Sequence, residues 1–273
     1  MNKGQWDKYC RAAEERVQRV REQIAAASER SGRTPESVKL VSVTKYVTGT
    51  EGVEASLYAA GCTDFGENRA SRLLDKWHLF NEKFHSAESE MFPPFFDPRR
   101  ISWHFIGSLQ RNKVRRILPY VSLIHSIDTP ELYETVVRIM REENDKTETK
   151  KESSSDTPLF PEKVQVLLEV NISGEGNKHG FQPAQFLDQI GPLLEEKESR
   201  VEIRGLMGMG GLSSTPKEVR SQFAELRSLL ESVQRTVPDR TNLTELSMGM
   251  SGDFEAAVEE GATIVRIGSI LYP

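Results

Sequence analysis

Lys45 is the residue of this chain best placed for covalent chemistry with an aldehyde. It follows the apolar, β-branched run VKLVSVT directly. A lysine emerging from a buried strand is partly stripped of water, which favours the neutral amine, the form that adds to a carbonyl. A lysine at a strand end also snorkels to solvent in many proteins, and position alone favours that reading. Two turns near the C-terminus shift the balance. SMGMSGD (247–253) and RIGS (266–269) are glycine- and serine-containing turns that each leave an apolar run. Backbone amides approach a phosphate closely where no Cβ intrudes, so Gly249, Gly268 and the hydroxyls of Ser247 and Ser269 suit a phosphate site. Glycine and serine are also ordinary turn residues, so each turn alone carries little weight. Arg266 lies inside the run TIVRIG. Its permanent charge needs a partner: a buried carboxylate, or the ring nitrogen of an aromatic cofactor. At a ring nitrogen it would keep that atom unprotonated and weaken the ring as an electron sink. His104, within ISWHFIG, reads as a satisfied interior histidine or a ring contact rather than an acid–base group.

These residues act together only if their strands end side by side. Eight short apolar runs read as strands: 38–43, 62–66, 101–106, 121–127, 164–172, 202–207, 243–248 and 263–268. Helix-like stretches separate them at 50–60, 67–80, 108–116, 129–143, 183–195, 216–235 and 251–260. Several strands are apolar on both faces, as strands covered by helices outside and packed core inside must be. Eight such units fit a single closed (β/α)₈ TIM barrel, an α/β fold, better than an open sheet. The C-terminal strand ends of such a barrel form its functional face, where Lys45, Asn68, Ser247 and Gly268 fall. An extra N-terminal helix is expected up to Ser31-Gly32, closing the bottom of the barrel. Residues 81–100 and 144–163 read as loop inserts within one domain spanning 1–273. The formal net charge of −5 gives no basic excess for nucleic acid. Cys10 and Cys62 form neither a disulfide framework nor a metal-ligand spacing, so no metal is expected. The N-terminus lacks an apolar core of secretory type, and no segment is apolar enough to cross a membrane, which points to the cytoplasm.

With those features in place, the chain resembles the pyridoxal phosphate homeostasis proteins, whose barrel is similar to the N-terminal domain of alanine racemase. The matching segments include LVSVTK (40–45), DFGENR (64–69), WHFIGSLQRNK (103–113), VNISGEGNKHGF (170–181), RGLMGM (204–209) and LSMGMSGDFEAAVEEGATIVRIGS (246–269). The resemblance implies pyridoxal 5′-phosphate (PLP) held on Lys45 as a Schiff base. It implies Ser247, Gly268 and Ser269 at the phosphate, and Arg266 at the pyridine nitrogen. Asn68 and Met248 would line the ring pocket, with His104 nearby. It also implies vitamin B6 buffering and delivery to PLP-dependent apo-enzymes, with no catalytic residue assigned. The chain departs from the family pattern after Lys45, where Tyr46, Val47 and Thr48 stand in place of Thr, Lys and Pro. It departs again at Tyr272-Pro273, which suggests a short or absent last helix. The alternatives are a PLP-dependent amino-acid racemase and a cofactor-free barrel enzyme acting on a phosphorylated metabolite. A racemase needs two bases, and no tyrosine of this sequence stands in a defensible position for the second. A monomer is the expected state.

Overall fold

The computed structural model describes residues 3–47, 52–85, 97–149, 158–176, 179–195, 200–237 and 242–272. Eight parallel strands close a barrel in sequence order. They are β1 (Lys39–Val43), β2 (Asp64–Glu67), β3 (Ser102–Phe105), β4 (Leu123–Ile127), β5 (Val164–Val170), β6 (Val201–Gly208), β7 (Glu245–Ser247) and β8 (Ile264–Ile267). Around them run α1 (Lys3–Arg30), α2 (Val53–Ala59), α3 (Ala70–His85), α4 (Val114–Ile117), α5 (Pro130–Thr149), α6 (Phe186–Glu195), α7 (Pro216–Thr236) and α8 (Phe254–Glu259). The expected barrel is therefore the observed one. Its strands read clearly because residues such as Val166, Leu168, Val265 and Ile267 face the helices, while Val41, Leu167 and Ile264 face the barrel interior.

Helix α1 does not close the bottom of the barrel. It packs between α2 and α8, on the outer wall. The residues after β8 are turns as far as Tyr272, so α1 fills the groove that a crossover helix after β8 would occupy. Its buried face, Ala13, Val17, Val20, Ile24 and Ala27, follows helical spacing. Val17, Val20 and Ile24 each contribute about 1.5–3 kcal/mol by leaving water. Two arginines pin the helix to its neighbours. Arg21 donates to the carbonyls of Ala60 and Gly61 just past α2, and Arg33 to those of Val258 and Ala262 around the end of α8. Cations at helix C-termini satisfy orphan carbonyls and the helix dipole together.

Both expected inserts are shorter than their sequences suggest. Helix α3 runs to His85 and α5 to Thr149. The tract after position 143 has no glycine or proline before Pro158, so its polar residues continue a helix. The remainders of the inserts, 86–96 and 150–157, lie outside the described residues. The helix expected at 108–116 is one α-turn, α4, between 3₁₀ turns at Arg111–Lys113 and Leu118–Tyr120.

Candidate functional site

The register between β1 and β8 builds the centre of the barrel mouth. Val41 pairs with Arg266 and Ser42 with Ile267. One step further, Val43 lies beside Gly268, where a Cβ would sit 3.1 Å from the Val43 carbonyl oxygen. Val41 and Val43 meet Ile106 at Gly66 inside the barrel. Lys45 follows two residues past the end of β1, in a turn closed by the Val47 N–H on the Thr44 carbonyl at 2.9 Å; it is half-buried, with Nζ 5.2 Å from the centre of the Tyr46 ring. The end of β1 thus brings the chain to Lys45 at the C-terminal end of the β1–β8 seam, past Gly268 and Arg266. On the β2 side, Asn68 stands two residues past Gly66. The backbone of Asn68 presses on Gly107, where a Cβ would be only 2.2 Å from the Asn68 carbonyl oxygen. Only glycine permits that approach.

The two C-terminal turns meet through Gly268, whose N–H donates to Ser251 Oγ at 3.3 Å. Gly249, at φ 92°, makes the first turn possible, and a Cβ there would be 2.6 Å from that of Ala257. Asp253 Oδ1 accepts from the Met250 amide and ties the turn to the start of α8. Among the described residues, no protein group accepts from the amides of Ser251, Gly252, Ser269 or Ile270. Four unpaired amides on two touching turns fit a phosphate, and a half-buried lysine just past the end of β1 fits an aldehyde, the two groups that PLP carries. Ser251 was missed by the sequence reading, which assigned the phosphate to Ser247 in the same motif.

Ser247 is corrected by the structure. Its hydroxyl is fully buried at the end of β7, 2.8 Å from His125 Nδ1 and 2.6 Å from Arg266 NH1. With its hydrogen on His125 and a lone pair on Arg266, the hydroxyl is tied to Arg266 and has no hydrogen left to give a phosphate. His104 is likewise spent within the barrel: Nδ1 meets His125 Nε2 at 2.9 Å and Nε2 meets Asp64 Oδ1 at 3.0 Å. It presents no free nitrogen to the mouth. Met248 points outward into the layer between strands and helices, so only its backbone is available to a pocket. Asn68, Lys45, Gly268 and Ser269 remain at the mouth.

Arg266 is the electrostatic centre of the site. Burial lowers its pKa to about 10, with Glu169 and Asp253 opposing the shift, so it stays cationic at neutral pH. Its other fixed bond runs from NH2 to the Gly208 carbonyl, 3.1 Å away. Glu169, on β5, is raised to about 7 by burial and by Asp128, against the pull of Arg266 and His179. The bland partner expected for Arg266, a buried carboxylate, thus exists, but as a long-range neighbour and not as a bonded pair. The guanidinium keeps donors for a ligand. No cluster that could hold a metal occurs among the described residues.

A parallel eight-stranded barrel closed in sequence order, with a long helix ahead of β1, is a barrel of the alanine racemase type in its fold. The fold of alanine racemase from Clostridium difficile 630 agrees, with a TM-score of 0.58 at 13% identity, covering 92% of this chain and 54% of that one. At that identity the likeness concerns the fold alone. The protein belongs to the pyridoxal phosphate homeostasis protein family. It is 36% identical over 258 residues to the pyridoxal phosphate homeostasis protein of Aquifex aeolicus, covering 94% of this chain and 96% of that protein. PipY of Synechococcus elongatus PCC7942, solved with PLP bound, superposes with a TM-score of 0.72 at 30% identity, covering 96% of this chain and 100% of PipY. No protein-family model matches the chain. Among the described residues, no helix is long and apolar enough to cross a membrane.

Proposed function

We propose that this chain binds PLP at the barrel mouth and serves PLP homeostasis, holding and releasing the cofactor rather than turning over a substrate. The observation that carries the reading is the β1–β8 register, which sets Val41 beside Arg266 and Val43 beside Gly268 two residues before Lys45, next to turns with unpaired amides. When bound, PLP supplies an aldehyde for a lysine amine, a phosphate for the amides and a ring nitrogen for the arginine. Lys45 is the attachment point, and Gly268, Ser269 and the amides of Ser251 and Gly252 hold the phosphate. Asn68 borders the ring, and Arg266 faces its nitrogen. Residues 1–273 act as one PLP-binding domain, cytoplasmic and monomeric, with PLP-dependent apo-enzymes as recipients.

The carrier reading is favoured over a racemase by the residues at the mouth. An arginine at the ring nitrogen weakens carbanion stabilisation. Tyr272 donates its hydroxyl to the Val43 carbonyl at 2.7 Å and is pushed up to about 12 by burial and by Glu54 and Glu67. It makes a poor second base. PipY has also been solved without PLP, as a reversible carrier allows. Borohydride reduction of the PLP-loaded protein should fix the cofactor mass to the peptide containing Lys45, and Lys45→Ala should lose that label. Full covalent labelling without Lys45 would overturn the assignment, and racemase turnover well above that of free PLP would overturn the carrier role.

A further inference from the structure

The polar chain that ends on Arg266 begins at the opposite face of the barrel. Asp64, at the start of β2, lines a cavity of ≈ 470 Å³ there with Lys39, Thr63 and Arg21. Its Oδ1 lies 3.2 Å from Lys39 Nζ and 3.0 Å from His104 Nε2. Burial raises the Asp64 pKa, but His104 and Lys39 outweigh it and leave a lowered value. Asp64 is therefore an ionised acceptor, and His104 Nε2 carries the hydrogen between them. Burial holds His104 and His125 below the usual histidine range, His125 further so because His104 and Arg266 are close. A neutral imidazole has one donor. His104 Nδ1 must then accept from His125 Nε2 at 2.9 Å, and His125 Nδ1 must accept from the Ser247 hydroxyl at 2.8 Å. Ser247 Oγ is left to receive Arg266 NH1 at 2.6 Å.

Every hydrogen in this chain points the same way, from Arg266 toward Asp64. The other arrangement, with His104 as the cation, reverses both inner bonds. It leaves the Ser247 hydrogen with no acceptor among the described residues, because arginine only donates. Such an orphan in a dry core is costly.

We propose that Asp64, His104, His125 and Ser247 form a one-way hydrogen-bonded relay that holds Arg266 beneath the cofactor ring. The far face of the barrel thus sets the orientation of the group at the ring nitrogen. All four are positioning residues, and the inference rests on the PLP reading only at its Arg266 end.

Two measurements test it. In the cofactor-free chain with isotope-labelled histidine ring nitrogens, NMR should find His104 and His125 neutral with the hydrogen on Nε2. A hydrogen on Nδ1 of either ring, or a doubly protonated ring, overturns the relay. In the PLP-loaded chain, Ser247→Ala should weaken PLP binding by about tenfold or more, the worth of a hydrogen bond to a charged group. It should also shift the ring-nitrogen signal of labelled PLP while leaving attachment at Lys45 intact. Asp64→Asn, at the solvent-facing end, should change both histidine signals and shift the PLP ring signal less; it serves should Ser247→Ala fail to fold. Unchanged affinity and unchanged ring signal in the folded variants overturn the positioning role. A chain that takes up no PLP at all sinks the functional reading, while the histidine signals still decide the relay.

Discussion

Replacing Lys76 by methionine should destabilise the protein and loosen Lys45 in one step. Lys76 comes from α3 and sits behind β1 and β2, on the outside of the barrel wall. Its Nζ is 2.7 Å from Glu54 Oε1 and donates to Glu67 Oε1 and, at 2.8 Å, to the carbonyl of Thr44. None of these three charged side chains is more than 1% exposed. Burial raises the pKa of Glu54, with Lys76 opposing, and a proton on Glu54 makes the cluster neutral. Removing one partner of a buried pair strands the other, which costs about 3–5 kcal/mol. In a chain of this size one kcal/mol moves Tm by about 2–4 °C, so Lys76→Met should melt about 6–20 °C lower. Thr44, one residue before Lys45, also loses one of the two bonds on its carbonyl, the other coming from the Val47 N–H at 2.9 Å, so PLP retention should fall with stability. Urea and thermal unfolding of the cofactor-free chain measure the first effect, and dialysis of loaded protein the second. The triple variant with methionine at 54, 67 and 76 should recover much of the stability, since the charges leave together. A loss below about 1 kcal/mol for Lys76→Met, the range of an exposed pair, would refute the buried cluster.

Gly107→Ala should cost at least about 2 kcal/mol and reduce PLP retention, because its Cβ would meet Asn68 backbone at 2.2 Å; unfolding and PLP titration report both. Ser251→Ala should weaken PLP binding by about tenfold with little change in Tm, since its hydroxyl joins the two phosphate turns at the surface; equal affinity would remove Ser251 from the site. Glu169 holds its proton more tightly when folded, at about 7 against an ordinary 4.5. The unfolded chain therefore releases that proton first, and stability should fall as pH rises from about 4.5 to about 7, by as much as about 3 kcal/mol, then level off. Glu169→Gln should flatten that limb in urea unfolding at a series of pH values.

The strands were legible because parallel strands buried on both faces read as unbroken apolar runs. Lys45 was legible because its charge interrupts such a run at the end. The phase of the β7 turn was not. Ser247 and Ser251 flank the same motif, and composition alone makes either a phosphate ligand. Only the inward alternation of β7 puts Ser247 within the core, leaving Ser251 at the surface. His125 was missed because a histidine inside LIHSI looks like any interior histidine until β3 and β4 lie side by side and His104 faces it. The groove chosen by α1 was hidden for a similar reason. Its apolar stripe shows that it packs, but its seat depends on the turns that follow β8.

The interior of such a barrel is ordinarily filled by branched apolar side chains, and here Val41, Leu123, Leu167, Met207 and Ile264 form such a group, with Val43 and Ile106 meeting Val41 at Gly66. Charged and imidazole groups take the remaining space, and they are divided by the wall of the barrel. Outside it, Glu54, Lys76 and Glu67 hold the backbone of Thr44. Inside it, Asp64, His104, His125 and Ser247 hold the guanidinium of Arg266. Lys45 follows β1 and Arg266 lies on β8, its partner across one strand seam, with Val41 opposite Arg266, yet each is approached from a different layer. Disturbing the outer cluster should therefore change covalent retention and stability while leaving the ring-nitrogen signal in place. Disturbing the inner chain should move that signal while leaving Lys45 competent. The proposed carrier role depends on this separation. The lysine must give up the cofactor, while the arginine must keep the bound ring from reacting.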